Sequence, residues 1–153
     1  MSAIIVPIEI QLTERSQAIL AALSGAIGTT QEPATASASA VDLQPGEHYA
    51  GVVLDESGQV THHLVLMAQR PDTKLKWQAA MDWAASAGGA LPTRQEQALL
   101  YANCKPHLKP EWHWSSETHA DDASFAWHCT FHYGYQFDFR KSYEGAAVAV
   151  RRV

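Results

Sequence analysis

Residues 125–140 read FAWHCTFHYGYQFDFR. Phe125, Trp127, Cys129 and Phe131 take the odd positions of a first arm, and Ala126, His128, Thr130 and His132 the even ones. After Tyr133-Gly134, the aromatic residues Tyr135, Phe137 and Phe139 alternate with Gln136, Asp138 and Arg140. Period two is the signature of a pleated strand, whose successive side chains point to opposite faces. The stretch therefore predicts a β-hairpin that turns at Tyr133-Gly134, with the odd residues buried and the even residues facing solvent. An isolated hairpin is marginal in water, so its apolar face needs cover from the rest of the chain.

That cover has to come from upstream. Residues 48–54 (HYAGVVL) and 60–67 (VTHHLVLM) are β-rich runs joined by DESGQ, with Gly58 suited to the turn. Asp72 or Thr73 opens a helix whose apolar face is Leu75, Trp77, Ala80, Met81 and Ala84, and Gly88-Gly89 end it. In LPTRQEQALLYANC, Thr93 and Glu96 form a T-x-x-E capping box, with Leu91 and Pro92 just outside it. Leu99, Leu100 and Ala102 carry that second helix on, and Pro106 stops it. The final AAVAVRRV reads as a closing strand. Strands, two helices, a loop-rich segment and strands again make an α+β domain over residues 45–153.

The first 44 residues differ in character. Residues 28–40, GTTQEPATASASA, are small and polar, and we assign 28–44 as a flexible linker. Before it, Ile8, Ile10 and Leu12 alternate with Glu9 and Gln11 like a short strand. Thr13 then offers a helix cap. Leu12, Ser16, Ile19, Leu23 and Ala26 fall at 4-3-4-3 spacing, an apolar seam. One such stripe is not stable alone. Residues 1–27 are thus expected to form a strand and helix that self-associate into a dimer or trimer through Leu12, Ile19, Leu23 and Ala26, with docking on the parent domain or on another protein as the alternatives.

Composition narrows the function classes. The 153 residues suffice for one domain with a core, and 46% hydrophobic against 18% charged is a globular composition. A net charge of −5 supplies no positive field for nucleic acid. No run approaches the ~18 apolar residues of a membrane span, and the N-terminus lacks the basic region of an export signal. The chain is expected in the cytoplasm at synthesis, with Cys104 and Cys129 as reduced, buried thiols.

Three pieces together carry a resemblance: GGALPTRQEQALL (88–100), WHWSSE (112–117) with FAWHCTFHYGYQ (125–136), and AVAVRRV (147–153). They resemble a bacterial and phage domain family of unknown function similar to the C-terminal domain of the Legionella collagen-like adhesin. That family is similar in turn to the C-type-lectin-like fold, shared with phage tropism proteins and formylglycine-generating enzymes. The chain also resembles small phage and prophage proteins. The resemblance covers about 45–153. It implies a structural role for Leu91, Pro92, Thr93 and Glu96 and for Trp112, Trp114, Ser115, Ser116 and Trp127, with both tryptophan rings of WHW buried on one side of an extended segment.

Chemistry is sparser. Five of eight histidines fall between 107 and 132. His128 and His132 are ~13 Å apart if both lie on one strand, too far to share a zinc ion. A metal-dependent enzyme built from His113, His119, His128 and His132 is the rival reading. No helical H-x-x-x-H, C-x-x-C or EF-hand loop supports it. Ser115 and Ser116 lack a nucleophile elbow. The enzymes of the lectin-like fold use a pair of active cysteines, whereas Cys129 falls on the apolar hairpin face. What remains is a surface: Glu117, His119, Asp121 and Asp122 in the loop, and His128, Thr130, His132, Gln136, Asp138 and Arg140 on the hairpin's outer face, with Tyr133 and Tyr135 nearby. Such residues suit recognition of a host protein or glycan; the alternative is an ordinary solvated strand face. The expectation is a non-enzymatic binding module without cofactor, phage or prophage encoded, acting in the virion or in the host cell.

Overall fold

The computed structural model describes residues 41–153. The N-terminal arm, with Leu12, Ile19, Leu23 and Ala26, and the linker as far as residue 40 lie outside the described residues.

The described chain runs β1 (His48–Leu54), β2 (Val60–Leu66), β3 (Leu75–Lys76), α1 (Trp77–Ser86), α2 (Arg94–Cys104), a 3-10 turn (Lys105–His107), β4 (Trp112–Thr118), β5 (Phe125–Thr130), β6 (Gln136–Arg140), β7 (Glu144–Gly145) and β8 (Val150–Arg152). Three antiparallel sheets result, in the orders β1-β2-β8, β3-β7 and β4-β5-β6. The fold is α+β, as the order of elements predicted.

Local chemistry sets the boundaries. The loop between β1 and β2 closes on Asp55, whose Oδ1 accepts N–H bonds from Ser57 (2.8 Å) and Gln59 (2.9 Å). α2 begins with the predicted capping box: Thr93 Oγ1 accepts from the Glu96 N–H and Glu96 Oε2 accepts from the Thr93 N–H. α1 starts later than Asp72 or Thr73. Leu75 and Lys76 pair with Gly145 and Glu144, and that short ladder holds them extended until Trp77. Residues 41–44, read as the end of the linker, lie against the domain, where Arg151 donates to the Asp42 carbonyl and pairs with Glu47.

Two apolar clusters fill the interior. One joins Leu64 and Leu66 of β2, Leu100 and Cys104 of α2, Val148 and Val150, and Cys129 and Phe131. The other joins Ala80 and Ala84 of α1 with Leu91, Trp114, Ala126 and Ala149. β5 contributes to both, so it is covered on both faces. That corrects the expected hairpin: His128 and Thr130, read as solvent-facing, are 5% exposed. A strand buried on both sides has no polar face, whatever its alternation suggests.

Register explains the rest. β5 and β6 pair His128 with Phe137, Ala126 with Phe139 and Trp127 with Asp138. Phe137 and Phe139 therefore share the face of His128, not that of Cys129. The two arms alternate on opposite faces because four residues, Phe131 to Gly134, separate Thr130 from Tyr135, whose carbonyl accepts the Thr130 N–H. An even loop pairs even positions with odd ones. Gly134 makes this turn with φ +80 and with Tyr101 packed where a side chain would stand.

Candidate functional site

β6 is the outer strand of its sheet, and β7 crosses nearby beside β3. Between them opens a groove of about 410 Å³. Its walls are aromatic. Trp112 and Phe137 meet edge to face at 5.7 Å, and Phe139 and Tyr143 do so at 4.9 Å. These rings are 40%, 56%, 46% and 56% exposed respectively, high values for side chains of this size. The expected burial of both WHW tryptophans thus holds for Trp114, which is fully buried and donates Nε1–H to the Leu75 carbonyl at 2.8 Å, but not for Trp112.

His128 forms the floor. Its ring lies 3.6 Å from Trp114 and 5.6 Å from Phe139. Burial, and secondarily the neighbouring His113, pushes its pKa down to about 4, so the imidazole is neutral near pH 7. Its Nε2 is buried without a hydrogen-bond partner among the described residues. Gly145 closes the wall there, because a Cβ would stand 2.9 Å from Trp114 Nε1 and 3.1 Å from His128 Nε2. The rim is acidic: Glu111, Asp138 and Glu144 line it with one cation, Lys74, which is 3.0 Å from Glu111. Asp138 and Glu144 have no salt bridge among the described residues.

Of the ten residues proposed as a binding surface, two reach this groove, His128 and Asp138. Glu117 accepts the Arg94 N–H at 2.7 Å at the start of α2, and Gln136 exchanges bonds with the Arg94 guanidinium and carbonyl. Both serve the helix terminus. Asp122 closes its own loop through the Ser124 N–H and hydroxyl, which hold its carboxyl below the usual range. His119 lies tilted against Trp127 with ring centres 5.5 Å apart, and the Arg94 guanidinium sits 3.5 Å from the centre of the same indole. Arg140 lies over Phe125, Thr130 is buried and takes the His132 N–H on its hydroxyl, and Asp121 is exposed. Glu117, His119 and Gln136 thus meet around Arg94 and Trp127, while His128 and Asp138 line the groove.

The histidines do not converge. His113 pairs across the sheet with Cys129 while Trp114 pairs with His128, so His113 and His128 point to opposite faces. His113 packs on Phe131 and donates Nδ1–H to the Glu111 carbonyl, with burial pushing its pKa down to about 4. His132 lies past the end of β5 against Tyr133. Among the described residues no three His, Cys, Asp or Glu side chains are grouped to hold a metal ion. Both thiols are buried, and burial raises the Cys129 pKa to about 11.

The WSS segment ties the domain together. Ser115 is buried, its hydroxyl accepts the Glu117 N–H and its carbonyl accepts the Trp77 indole N–H; the Ser116 N–H donates to the Pro92 carbonyl. Leu91 is fully buried beside them. Glu96 does more than cap. It is 1% exposed and receives Arg152 at 2.6 and 2.7 Å and His62 at 2.9 Å. Sequence reasoning missed Trp112, Phe137, Phe139 and Tyr143 as site residues, and the parity of the turn was the signal that would have found the two phenylalanines. The chain matches no family model and no curated protein.

Proposed function

We propose that this chain is a non-enzymatic binding module with a C-type-lectin-like domain, a member of the bacterial and phage family its motifs resemble, and that it recognises a host protein or glycan. The recognition surface is the groove between β6 and β7 together with the outer end of the hairpin, rather than the His128–Thr130 face read from the sequence. One observation carries the reading: Trp112, Phe137, Phe139 and Tyr143 stand open around a single groove. Exposed aromatic groups clustered in a concave site mark recognition, because exposed rings are sites where contact removes much apolar area from water. The link between the WSS segment and Pro92 supports the lectin-like assignment, since it joins the two motifs that carry the resemblance. Phage or prophage origin and self-association through the N-terminal arm belong to the same proposal.

The test compares wild type with a Phe137→Ser/Phe139→Ser double variant on a glycan array and against candidate host surface proteins. We expect binding to drop at least about tenfold, measured at a temperature where circular dichroism shows the variant folded. Equal binding by both proteins would place recognition elsewhere and overturn the proposal.

A further inference from the structure

Four aromatic faces elsewhere on the domain are covered by the chain's own cations. Arg94 lies over Trp127 at 3.5 Å, Lys141 over Trp77 at 4.0 Å, Lys105 over Tyr101 at 4.6 Å and Arg140 over Phe125 at 5.2 Å. The rings of the groove carry no such partner among the described residues. They are also the rings beside Asp138 and Glu144. A cation over an aromatic face is attracted by the ring quadrupole, and carboxylates at the rim add to that attraction.

Resting on the reading of this groove as a binding site, we infer that it receives the basic side chain, lysine or arginine, of a partner polypeptide. Three features favour this occupant over a sugar. The rim has three carboxylates against one lysine, and Lys74 is already matched by Glu111. The floor adds no positive charge, since the buried His128 imidazole is neutral near pH 7. The volume, about 410 Å³, accommodates a side chain with its flanking backbone and falls in the range of small-ligand sites. Trp112 with Phe137 and Phe139 with Tyr143 then supply the walls that contact the alkyl stem and its charged head.

The experiment titrates the full-length protein with a pentapeptide of one central lysine between glycines, its arginine counterpart, and the same lysine peptide acetylated at Nζ. Choline and N-acetylglucosamine serve as small-cation and sugar probes, and backbone and indole NMR shifts report the site. We expect both basic peptides to shift the Trp112 indole, Phe137 and Phe139 signals, with affinity at least about fivefold above the acetylated peptide. Asp138→Asn should weaken the lysine peptide about threefold, and Lys74→Gln, which removes the groove's own cation, should strengthen it. Equal affinity for the acetylated peptide, or insensitivity to both charge variants, overturns the inference. Choline binding with no peptide binding also overturns it, by assigning the groove to a small cation. N-acetylglucosamine shifting the groove while the peptides do not refutes the inference but leaves the binding-module reading standing. If no probe shifts the groove and the Phe137/Phe139 variant keeps its partner, both fall.

Discussion

Glu96 offers a sharp test of what holds the domain's helix to its sheet. Its carboxylate is 1% exposed and accepts four bonds: Arg152 Nε at 2.6 Å, Arg152 Nη2 at 2.7 Å, His62 at 2.9 Å and the Thr93 N–H at 2.8 Å. It joins the start of α2 to β2 and β8. Burial alone would raise its pKa, but the Arg152 guanidinium, the Thr93 N–H and His62 outweigh burial and hold it below the ordinary value. Glu96→Gln keeps the shape and removes the charge. One of its two terminal groups becomes a donor facing other donors, so at least one Arg152 or His62 contact turns repulsive. Removing one member of a buried ion pair costs about 3–5 kcal/mol. The Arg152 side chain is 36% exposed and regains some hydration, which puts the expectation near the lower end, about 3 kcal/mol.

Thr93→Ala supplies the control. It removes the cap acceptor alone and should cost about 1 kcal/mol. Urea unfolding followed by near-ultraviolet circular dichroism at pH 7 measures both variants, and Arg152→Met completes a double-mutant cycle with Glu96→Gln. We expect the double variant to be less destabilised than the sum of the singles, by about 1–3 kcal/mol. If Glu96→Gln costs no more than Thr93→Ala, or if the two changes simply add, Glu96 is only a cap and the buried ion pair contributes nothing to holding β8 against α2.

Acid should weaken the fold before ordinary carboxylates titrate. His113 and His128 have folded pKa values of about 4, below the usual 6.5, so the unfolded chain takes up protons first as pH falls. Their contribution is complete above pH 6.5 and is lost on the way down to 4, by at most roughly 3 kcal/mol for each; unfolding free energies that stay level between pH 7 and 4.5 would contradict this. Gly145→Ala should destabilise by about 1–3 kcal/mol through the Trp114 and His128 contacts and perturb tryptophan fluorescence, both read in one urea titration. The proposed self-association through the arm is checked by Ile19→Asp in the full chain: light scattering should show the dimer or trimer replaced by monomer, and an unchanged mass would refute it.

Much of the scaffold was legible from the sequence because its signals are local. The T-x-x-E box, the turn at Asp55 and the stop before Gly88 each depend on residues within one turn of each other. The α1 start was not, because Leu75 and Lys76 are claimed by Gly145 and Glu144, seventy residues along the chain by the numbering. Glu96 was legible as a cap and not as an ion-pair hub for the same reason: Arg152 and His62 are distant in sequence. Alternation told which residues share a side within each strand. It could not say that β5 is covered twice; the opposition of β6's aromatic residues to His128 and Ala126 was readable, because the two-residue turn expected at Tyr133-Gly134 is even as well.

That parity bears on the proposed function. On a chain folding only for stability, an outer strand with two exposed phenylalanines is a liability, since an open edge and apolar side chains invite association. β6 limits the hazard by being five residues long and by carrying Asp138 and Arg140 between and beyond its rings. It does not remove the rings. Replacing Phe137 and Phe139 by serine removes the buried half of each ring and the edge-to-face contacts with Trp112 and Tyr143, so the double variant should lose about 2–4 kcal/mol and is assayed where it remains folded. The exposed halves of these rings, gathered with those of Trp112 and Tyr143 around one groove, are the area the fold leaves uncovered, and they are the surface on which the proposed recognition rests.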